Sequence, residues 1–594
     1  MNLSRLRFWH LPTILIAVTA ILYLPHVGNA LVTLDDRMLI TRNPFIQQLT
    51  PWSLRMIFTT YDPELYVPLT LFTYQIEHLI FGLAPQIYHF TNLLLHIGSA
   101  ILVFQVIRRI FRSDLTGFVS ALLFAVHPLQ SEAVFWAAAR KDVLSGFFFL
   151  LSLFFYLQYR SGDERRTYRL SVACFLLALL AKVSVIMLPL ILLLLDWKEG
   201  RNLKETVREK IPYFALSVIF GVIAIIGKTQ SIASTDTLTM FLLAEKSTMF
   251  YLWKIFWPVT FSVMYPQTTV VSFWAEDFLL ASAVSILLVL GWMVALRKNR
   301  TIAFGWGFFL LMLLPNDTNF LKNGHLFFAS DRYAYLASIG IFSLLGLAIA
   351  RLPQLHVSKR IRTPVLAILS VLLGMRTYAQ GAVWRNSESL YSNVLKWYPD
   401  AAIAKNNFGE VLMMNGKAAQ ALPWFEEAVT EEPGMMQAHV NHGNALRELG
   451  QYDRAIAEYR THIRLSESKK GIGPEDLAGY YFLGELLEQM GHNDESLRLF
   501  IRATEREPAF AESFFNLGLQ HQKRGRTSEA VAAFERAVAI DPLYARAHYH
   551  LAGVYAESGR LADAKRELEL SLALDPTNEK AREHLENIQR MPGK

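Results

Sequence analysis

Cysteine is nearly absent: Cys174 is the single one in 594 residues, and it lies in an apolar run. No intrachain disulfide can form, so the fold is not a disulfide framework. Charge is also scarce, with Asp, Glu, Lys and Arg at 18% of residues against 53% hydrophobic and 13% aromatic. A mean hydropathy of +0.26 is too apolar for a protein soluble along its whole length. There is no glycine-rich phosphate loop in a strand-turn-helix setting, no Cys/His metal-ligand spacing and no nucleophile elbow. The net charge of +7 does not point to nucleic acid, because the basic residues cluster in short loops between apolar runs. That is the positive-inside pattern of a membrane protein.

What is present divides in two. Residues 1–380 are mostly long apolar runs, and residues 400–594 are charged, Ala-rich and helical in pattern. A span needs about 20 apolar residues, fewer where neighbours bury the helix. Eleven spans are expected, over about 11–24, 88–107, 115–126, 143–159, 170–181, 183–195, 213–227, 278–296, 302–314, 334–350 and 364–378. Residues 246–265, with Trp253, Lys254, Trp257 and Pro258, read as an interfacial or re-entrant helix. With this count every basic cluster falls on one side, which predicts a cytoplasmic N-terminus and a C-terminal domain on the opposite face.

The C-terminal part is a repeat. Prolines 399 and 433, 508 and 542, and 542 and 576 stand 34 residues apart, the tetratricopeptide period. Glycine recurs at Gly416, Gly450, Gly491, Gly525 and Gly559, and a small residue at Gly409, Gly443, Gly484, Gly518 and Ala552. Five repeats follow, at 402–435, 436–469, 477–510, 511–544 and 545–578, with an inserted loop from Lys470 to Asp476. Ser387, Tyr391 and Pro399 fit a connecting half-repeat helix over 381–401. The fold class expected is all-α: a polytopic helical membrane domain over 1–380, then an α-solenoid with a concave binding face over 402–594.

Ionisable residues concentrate on the side away from the basic loops. Asp35 and Asp36 follow the first span, in a long loop that also carries Asp62, Glu64, Glu77 and His78. His127, Glu132, Arg140, Lys141 and Asp142 follow the third, and Lys182, Asp317, His325, Asp331 and Arg332 come later. Two adjacent carboxylates at the mouth of a membrane helix are costly near hydrocarbon and mark a functional site; the plain alternative is a helix N-cap. His89, Asn92 and His96 share one helical face, suited to donor contact or to an inter-helix hydrogen bond.

Several stretches resemble the transmembrane-and-TPR O-mannosyltransferase family. They are Asp35-Asp36, Tyr66-Val67-Pro68-Leu69-Thr70, Tyr88-His89-Phe90-Thr91-Asn92, Leu123-Phe124-Ala125-Val126-His127-Pro128, Arg140-Lys141-Asp142-Val143-Leu144 and Asp331-Arg332-Tyr333-Ala334-Tyr335. The resemblance spans nearly the whole chain and implies a GT-C-type glycosyltransferase that uses a polyprenyl-phosphate-linked sugar. It also implies an acidic residue of the first loop as the base. Transfer to a hydroxyl needs a base on the acceptor and positive charge on the departing phosphate. Either Asp35 or Asp36 can be the base, with Asp35 taken first and Asp36 as its positioning or metal-binding partner; Arg140, Lys182 and Arg332 are expected to hold the donor phosphate. His89, His127, Glu132, Asp142 and Asp331 complete the candidate set.

The function expected is transfer of a sugar, mannose in the first instance, from the lipid carrier to a hydroxyl of an acceptor protein or peptide bound by the concave face. No nucleic-acid partner and no organic cofactor are expected; the need for a divalent metal stays open. Short loops and compact repeats point to a bacterial inner membrane, with the repeats periplasmic. Two other readings are a polysaccharide ligase or polymerase with a repeat tail, and a non-catalytic membrane scaffold. The short late loop at about 315–333 and the acidic first loop weigh against the ligase, and carboxylates set opposite cations have no use in a scaffold.

Overall fold

The computed structural model describes residues 10–61, 65–162, 165–228, 236–316, 320–322, 325–352, 359–469, 473–575 and 577–590. Asp62, Glu64, Asp317, Pro576 and the loop residues 470–472 lie outside them. The chain divides into two compact units, Met1–Pro399 and Asp400–Lys594.

Each stretch expected to span is a helix in the first unit. In chain order these are α1 His10–Tyr23, α4 Pro85–Phe111, α5 Asp114–Val126, α7 Arg140–Arg160, α8 Arg165–Ala181, α9 Leu188–Lys198, α10 Leu203–Lys228, α12 Glu276–Lys298, α13 Arg300–Leu313, α14 Ala334–Arg351 and α15 Lys359–Val383. Among the described residues six helices are long and apolar enough to cross a membrane, or seven if one bent pair counts as a span. A helix rises about 1.5 Å per residue, so a 13-residue helix such as α5 covers roughly 20 Å of a roughly 30 Å core. Every residue of 116–146 is buried. The bend of 56° after Val126, and the irregular backbone that follows, are thus enclosed by protein, where freed peptide groups can find partners.

The long first loop is more structured than a loop. It holds a five-residue π-helical turn, Arg37–Thr41, and the helices α2 Pro51–Thr59 and α3 Pro68–Phe81. Thr50 and Ser53 form a reciprocal capping box at the start of α2, with a proline in its first turn. The segment of Trp253 and Trp257 is helix α11, Thr237–Phe256; both tryptophans are exposed, and Lys254 between them is buried. One feature departs from an all-helical reading. A three-stranded antiparallel sheet, β1 Tyr265–Pro266, β2 Leu321–Lys322 and β3 His325–Ala329 in the order β1-β3-β2, leads into residues 330–333.

The second unit holds five helix pairs: α17/α18 Ala402–Met414 and Ala418–Glu431, α19/α20 Met436–Glu448 and Tyr452–Ser468, α21/α22 Ala478–Gln489 and Asn493–Arg506, α23/α24 Ala511–Lys523 and Thr527–Ile540, α25/α26 Ala545–Glu557 and Leu561–Leu574. A last helix, α27 Glu579–Arg590, follows them. The turn glycines take positive φ, 74° at Gly450 for example, which a side chain would resist. Within each pair a bulky ring of the second helix fills the place where the first has no side chain. A Cβ on Gly443 would stand 2.5 Å from the Tyr459 ring.

Candidate functional site

The site forms where the broken segment after α5 meets the first loop. Past His127 the chain makes a 3₁₀ turn, a short helix α6 Ser131–Phe135 and a second turn, Ala137–Ala139, before α7 begins at Arg140. That second turn is held from three sides. Asn92 Nδ2 donates to the Trp136 carbonyl at 2.9 Å, the Tyr74 hydroxyl donates to the Ala137 carbonyl at 2.8 Å, and the Ala138 N–H donates to Asp36 Oδ1 at 2.7 Å. Asp36 Oδ2 accepts from the Val32 N–H at 2.8 Å. The Asp36 side chain therefore ties the first loop to the start of α7. Burial pushes its pKa up to about 7, against the opposing effect of these two N–H donors.

Consecutive residues of a helix point about 100° apart, so Arg140, Lys141 and Asp142 serve three different neighbours. Arg140 is fully buried. Its Nε donates to Asn92 Oδ1 at 2.7 Å, one terminal nitrogen to Glu77 at 2.8 Å and the other to the Tyr88 carbonyl at 2.7 Å. Committed in this way, the guanidinium braces α3 and α4 against α7 and turns no face to a lipid phosphate; the expectation of a phosphate contact is corrected on that ground. Lys141 reaches Asp35 Oδ2 at 2.7 Å. The Asp35 side chain keeps 35% of its surface accessible, whereas Asp36 as a residue keeps 1%. Asp142 pairs with Lys182 through Oδ1, and its Oδ2 lies 3.8 Å from Arg332 Nε.

Arg332 comes from the turn Asp331–Tyr333 that follows β3. Glu132 organises that turn: it accepts from the Ser330 hydroxyl at 2.6 Å, from the Arg332 N–H at 3.2 Å and from the Arg332 guanidinium. The guanidinium lies over the Trp136 ring, 4.6 Å from its centroid, and Lys141 approaches the same ring at 5.8 Å. Trp136 is in turn stacked on Trp384, with centroids 5.8 Å apart. One connected cluster results: Asp35, Lys141, Trp136, Arg332, Glu132, Asp142 and Lys182, with Asp36 sealing it from behind.

Two sequence candidates have other places. His127 Nε2 faces the Ile255 carbonyl at 3.1 Å and Nδ1 accepts from the Leu129 N–H at 3.2 Å, so the neutral ring pins α11 to the bend and leaves neither nitrogen for substrate. Asp331 points away from Arg332. It accepts from the Tyr265 hydroxyl at 2.7 Å, beside Lys254, whose ammonium donates to Thr260 at 2.9 Å and is ringed by Phe250, Phe261 and Tyr265. His89 is buried next to Asn92 on α4, and His96 meets the Tyr335 hydroxyl at 3.0 Å; on this face the inter-helix bond is what forms. Missed in the sequence were Trp136, Glu77 as the counter-ion of Arg140, and Lys254. An aromatic or a lysine in an apolar stretch has no periodic signal that separates a site member from a core or interface residue.

Among the described residues no group of three or more His, Cys, Asp or Glu side chains is placed to hold a metal ion.

Residues 63–226 match the family described as dolichyl-phosphate-mannose-protein mannosyltransferase. Tetratricopeptide repeat models match 372–436, 440–491, 477–510 and 522–587. The Drosophila melanogaster protein O-mannosyl-transferase Tmtc3 is 24% identical over 543 residues, covering 76% of this chain and 58% of its own. Human protein O-mannosyl-transferase TMTC3 is 22% identical over 506 residues, covering 76% of this chain and 55% of its own. The chain thus spans a little over half the length of these curated relatives. The crystal structure of YrrB, a TPR protein, aligns over 33% of this chain and 97% of that one at 21% identity, with a TM-score of 0.25. Over residues 63–226 the chain is similar to the dolichyl-phosphate-mannose-protein mannosyltransferase family, tetratricopeptide repeats follow, and over 76% of its length it is similar to proteins named O-mannosyl-transferases.

Proposed function

We propose that this protein is a GT-C-type membrane glycosyltransferase that moves mannose from a polyprenyl-phosphate carrier to a hydroxyl of a protein acceptor, on the non-cytoplasmic face of its membrane. The observation that carries the reading is the accessible Asp35 carboxylate, 2.7 Å from a buried lysine. It stands at the edge of a cation cluster to which Lys141 and Lys182, within the stretch that matches the mannosyltransferase family, contribute.

Asp35 takes the proton of the acceptor hydroxyl as its oxygen attacks the anomeric carbon. The bond from that carbon to the phosphate oxygen breaks, and the polyprenyl phosphate leaves with the electron pair. Lys141, 2.7 Å away, orients Asp35. Lys182 and Arg332, each already balanced by a carboxylate, meet the charge that develops on the departing phosphate. Because Asp142 holds Lys182 and lies beside Arg332, it sets the spacing of the two cations. Asp36 and Glu132 are positioning residues, one for the start of α7 and one for the turn of Arg332. The repeats present the acceptor polypeptide on their concave face, and the host is a bacterial inner membrane with the repeats in the periplasm.

The test is transfer of labelled mannose from polyprenyl phosphate mannose to protein in membranes containing wild type or Asp35→Asn. The reading expects label on protein with wild type and a loss of at least a hundredfold in the variant. Wild-type membranes that label no protein would sink it.

A further inference from the structure

The corner that follows α15 lies outside the reacting cluster, yet it holds both halves of it. α15 ends at Val383, and after three residues the next helix, α16 Ser387–Trp397, begins. Asn386 fixes that start. Its side chain accepts from the Ser389 N–H at 2.9 Å, and its own N–H donates to the Ser389 hydroxyl at 3.2 Å, a reciprocal capping box. Trp384 and Ser387 flank this corner, and both are buried.

The loop of the acidic pair hangs on the corner by three bonds. Asn29 Nδ2 donates to the Gly381 carbonyl, the Ala30 N–H to the Arg385 carbonyl and the Thr33 N–H to the Ser387 hydroxyl oxygen, each at 2.9 Å. α15 comes this close because residue 381 has no side chain; a Cβ there would run into the His26 ring. The Val32 N–H belongs to Asp36. The backbone that leads into Asp35 is thus tied to the corner, while its carboxylate meets Lys141.

The same corner supports the cations. The Trp384 ring is stacked on Trp136 within 25° of parallel, and Trp136 carries the Arg332 guanidinium with Lys141 near by. Further along α16, Asn393 Nδ2 donates to the Phe261 carbonyl at 2.8 Å. Four residues beyond Phe261, Tyr265 donates to Asp331, the neighbour of Arg332.

We propose, resting on the transferase reading above, that the α15–α16 corner sets the spacing between the base and the cations that meet the departing phosphate. Ser387 is a positioning residue for Asp35, because it fixes the backbone two residues before the base. Trp384 is a positioning residue for Arg332, because it keeps Trp136 flat under the guanidinium. The connecting half-repeat helix is therefore part of the transfer site and not a spacer.

The experiment uses the full chain in detergent and two readouts. One is transfer of labelled mannose from polyprenyl phosphate mannose to a threonine peptide; the other is hydrogen–deuterium exchange by mass spectrometry without substrate. The variants are Ser387→Ala, Ser387→Thr and Trp384→Phe, with Ser392→Ala at an exposed serine of α16 as the control expected to match wild type. S387A should lower kcat about tenfold with the donor KM unchanged, and S387T, which keeps the hydroxyl, should recover to within about threefold of wild type. W384F should raise the donor KM about fivefold. In an Asp35→Asn background S387A should cost nothing further, and in Arg332→Ala W384F should cost nothing further, whereas damage to the fold lowers rates by the same factor in every background. Exchange in S387A should rise about tenfold over residues 29–34 and stay as in wild type over 326–333. The proposal is overturned by an S387A rate equal to wild type, by a loss that recurs undiminished in Asp35→Asn, by an unchanged donor KM in W384F, or by exchange that rises evenly along the chain. If wild type transfers no mannose yet S387A still frees residues 29–34 alone, the hold of the corner on the loop stands and the transferase reading falls.

Discussion

The two aspartates should separate when each is changed to asparagine, because their surroundings ask different things of them. Asp36 is buried, and each of its oxygens accepts one backbone N–H, at 2.8 and 2.7 Å. An asparagine offers one oxygen and one NH₂ group. Whichever way it is turned, one N–H of Val32 or Ala138 faces another donor. Two buried groups then lack a partner, at about 1–3 kcal/mol each, so Asp36→Asn should cost roughly 2–6 kcal/mol and loosen the turn that launches α7. Asp35 is partly exposed, and an amide oxygen can still receive the Lys141 ammonium. Asp35→Asn should therefore change stability by only about 0–1 kcal/mol. As the general base it should nevertheless lower kcat by about 10²–10⁴-fold. The assay pairs thermal unfolding, followed by tryptophan fluorescence in detergent, with mannose transfer by the same preparations. An Asp35→Asn protein that keeps more than a tenth of wild-type kcat refutes the assignment. So does an Asp36→Asn protein that unfolds like wild type yet loses activity as fully, since that would put the base at Asp36.

Glu132→Ala removes the group that accepts from Ser330, the Arg332 N–H and the Arg332 guanidinium. Transfer should fall at least tenfold, and the Glu132→Ala, Arg332→Ala double variant should lose little more than either single one, the non-additivity expected of a shared network; strict additivity would show that the two act apart. Gly443→Ala puts a methyl group 2.5 Å from the Tyr459 ring, so the repeat unit should lose about 1–3 kcal/mol in urea unfolding, and Gly434→Ala, with nothing within 4 Å, should not. His548 has both ring nitrogens opposite acceptors, Glu567 at 2.6 Å and the Pro542 carbonyl at 3.1 Å, which favours the imidazolium. Burial lowers its pKa, but Glu567 and the Pro542 carbonyl together outweigh burial and leave it raised; burial raises that of Glu567, and His548 and Arg566 together leave it lowered. The histidine's contribution is complete below about pH 6.5 and is lost as pH rises through its raised folded value; the glutamate's is lost as pH falls through its depressed one. Unfolding of residues 400–594 should thus show a decline on the alkaline side that is shallower in His548→Gln, the remainder belonging to His439 with Glu458, and equal slopes in the two proteins would contradict this.

The repeats were legible from spacing alone. A 34-residue period with glycine at the turn and a small residue opposite a ring is a local code, because each unit contacts its sequence neighbours. All five helix pairs start and stop close to the places that the prolines and glycines mark. The apolar helices of the first unit were legible too, since hydropathy reports burial. Burial of α5 within the protein was not, because an apolar stretch of 13 residues reads alike in lipid and in protein. The helices α2 and α3 were hidden by a long loop of mixed polarity.

Asp35 and Asp36 stand out in the sequence as a costly pair, and Glu132, Asp142, Lys182 and Arg332 as ionisable residues in apolar surroundings. Sequence by itself determined that these residues are present near the ends of membrane helices and that a solenoid follows them. Only the tertiary structure decided their partners: that Asp35 looks outward to Lys141 while Asp36 is sealed, that Arg140 is consumed by Glu77, Asn92 and Tyr88, and that Asp331 turns to Tyr265. The physical reason is range. Helix and repeat periods are set by backbone geometry within a few residues, whereas the pairing of a buried charge depends on which side chains the packing of distant helices brings within about 3 Å.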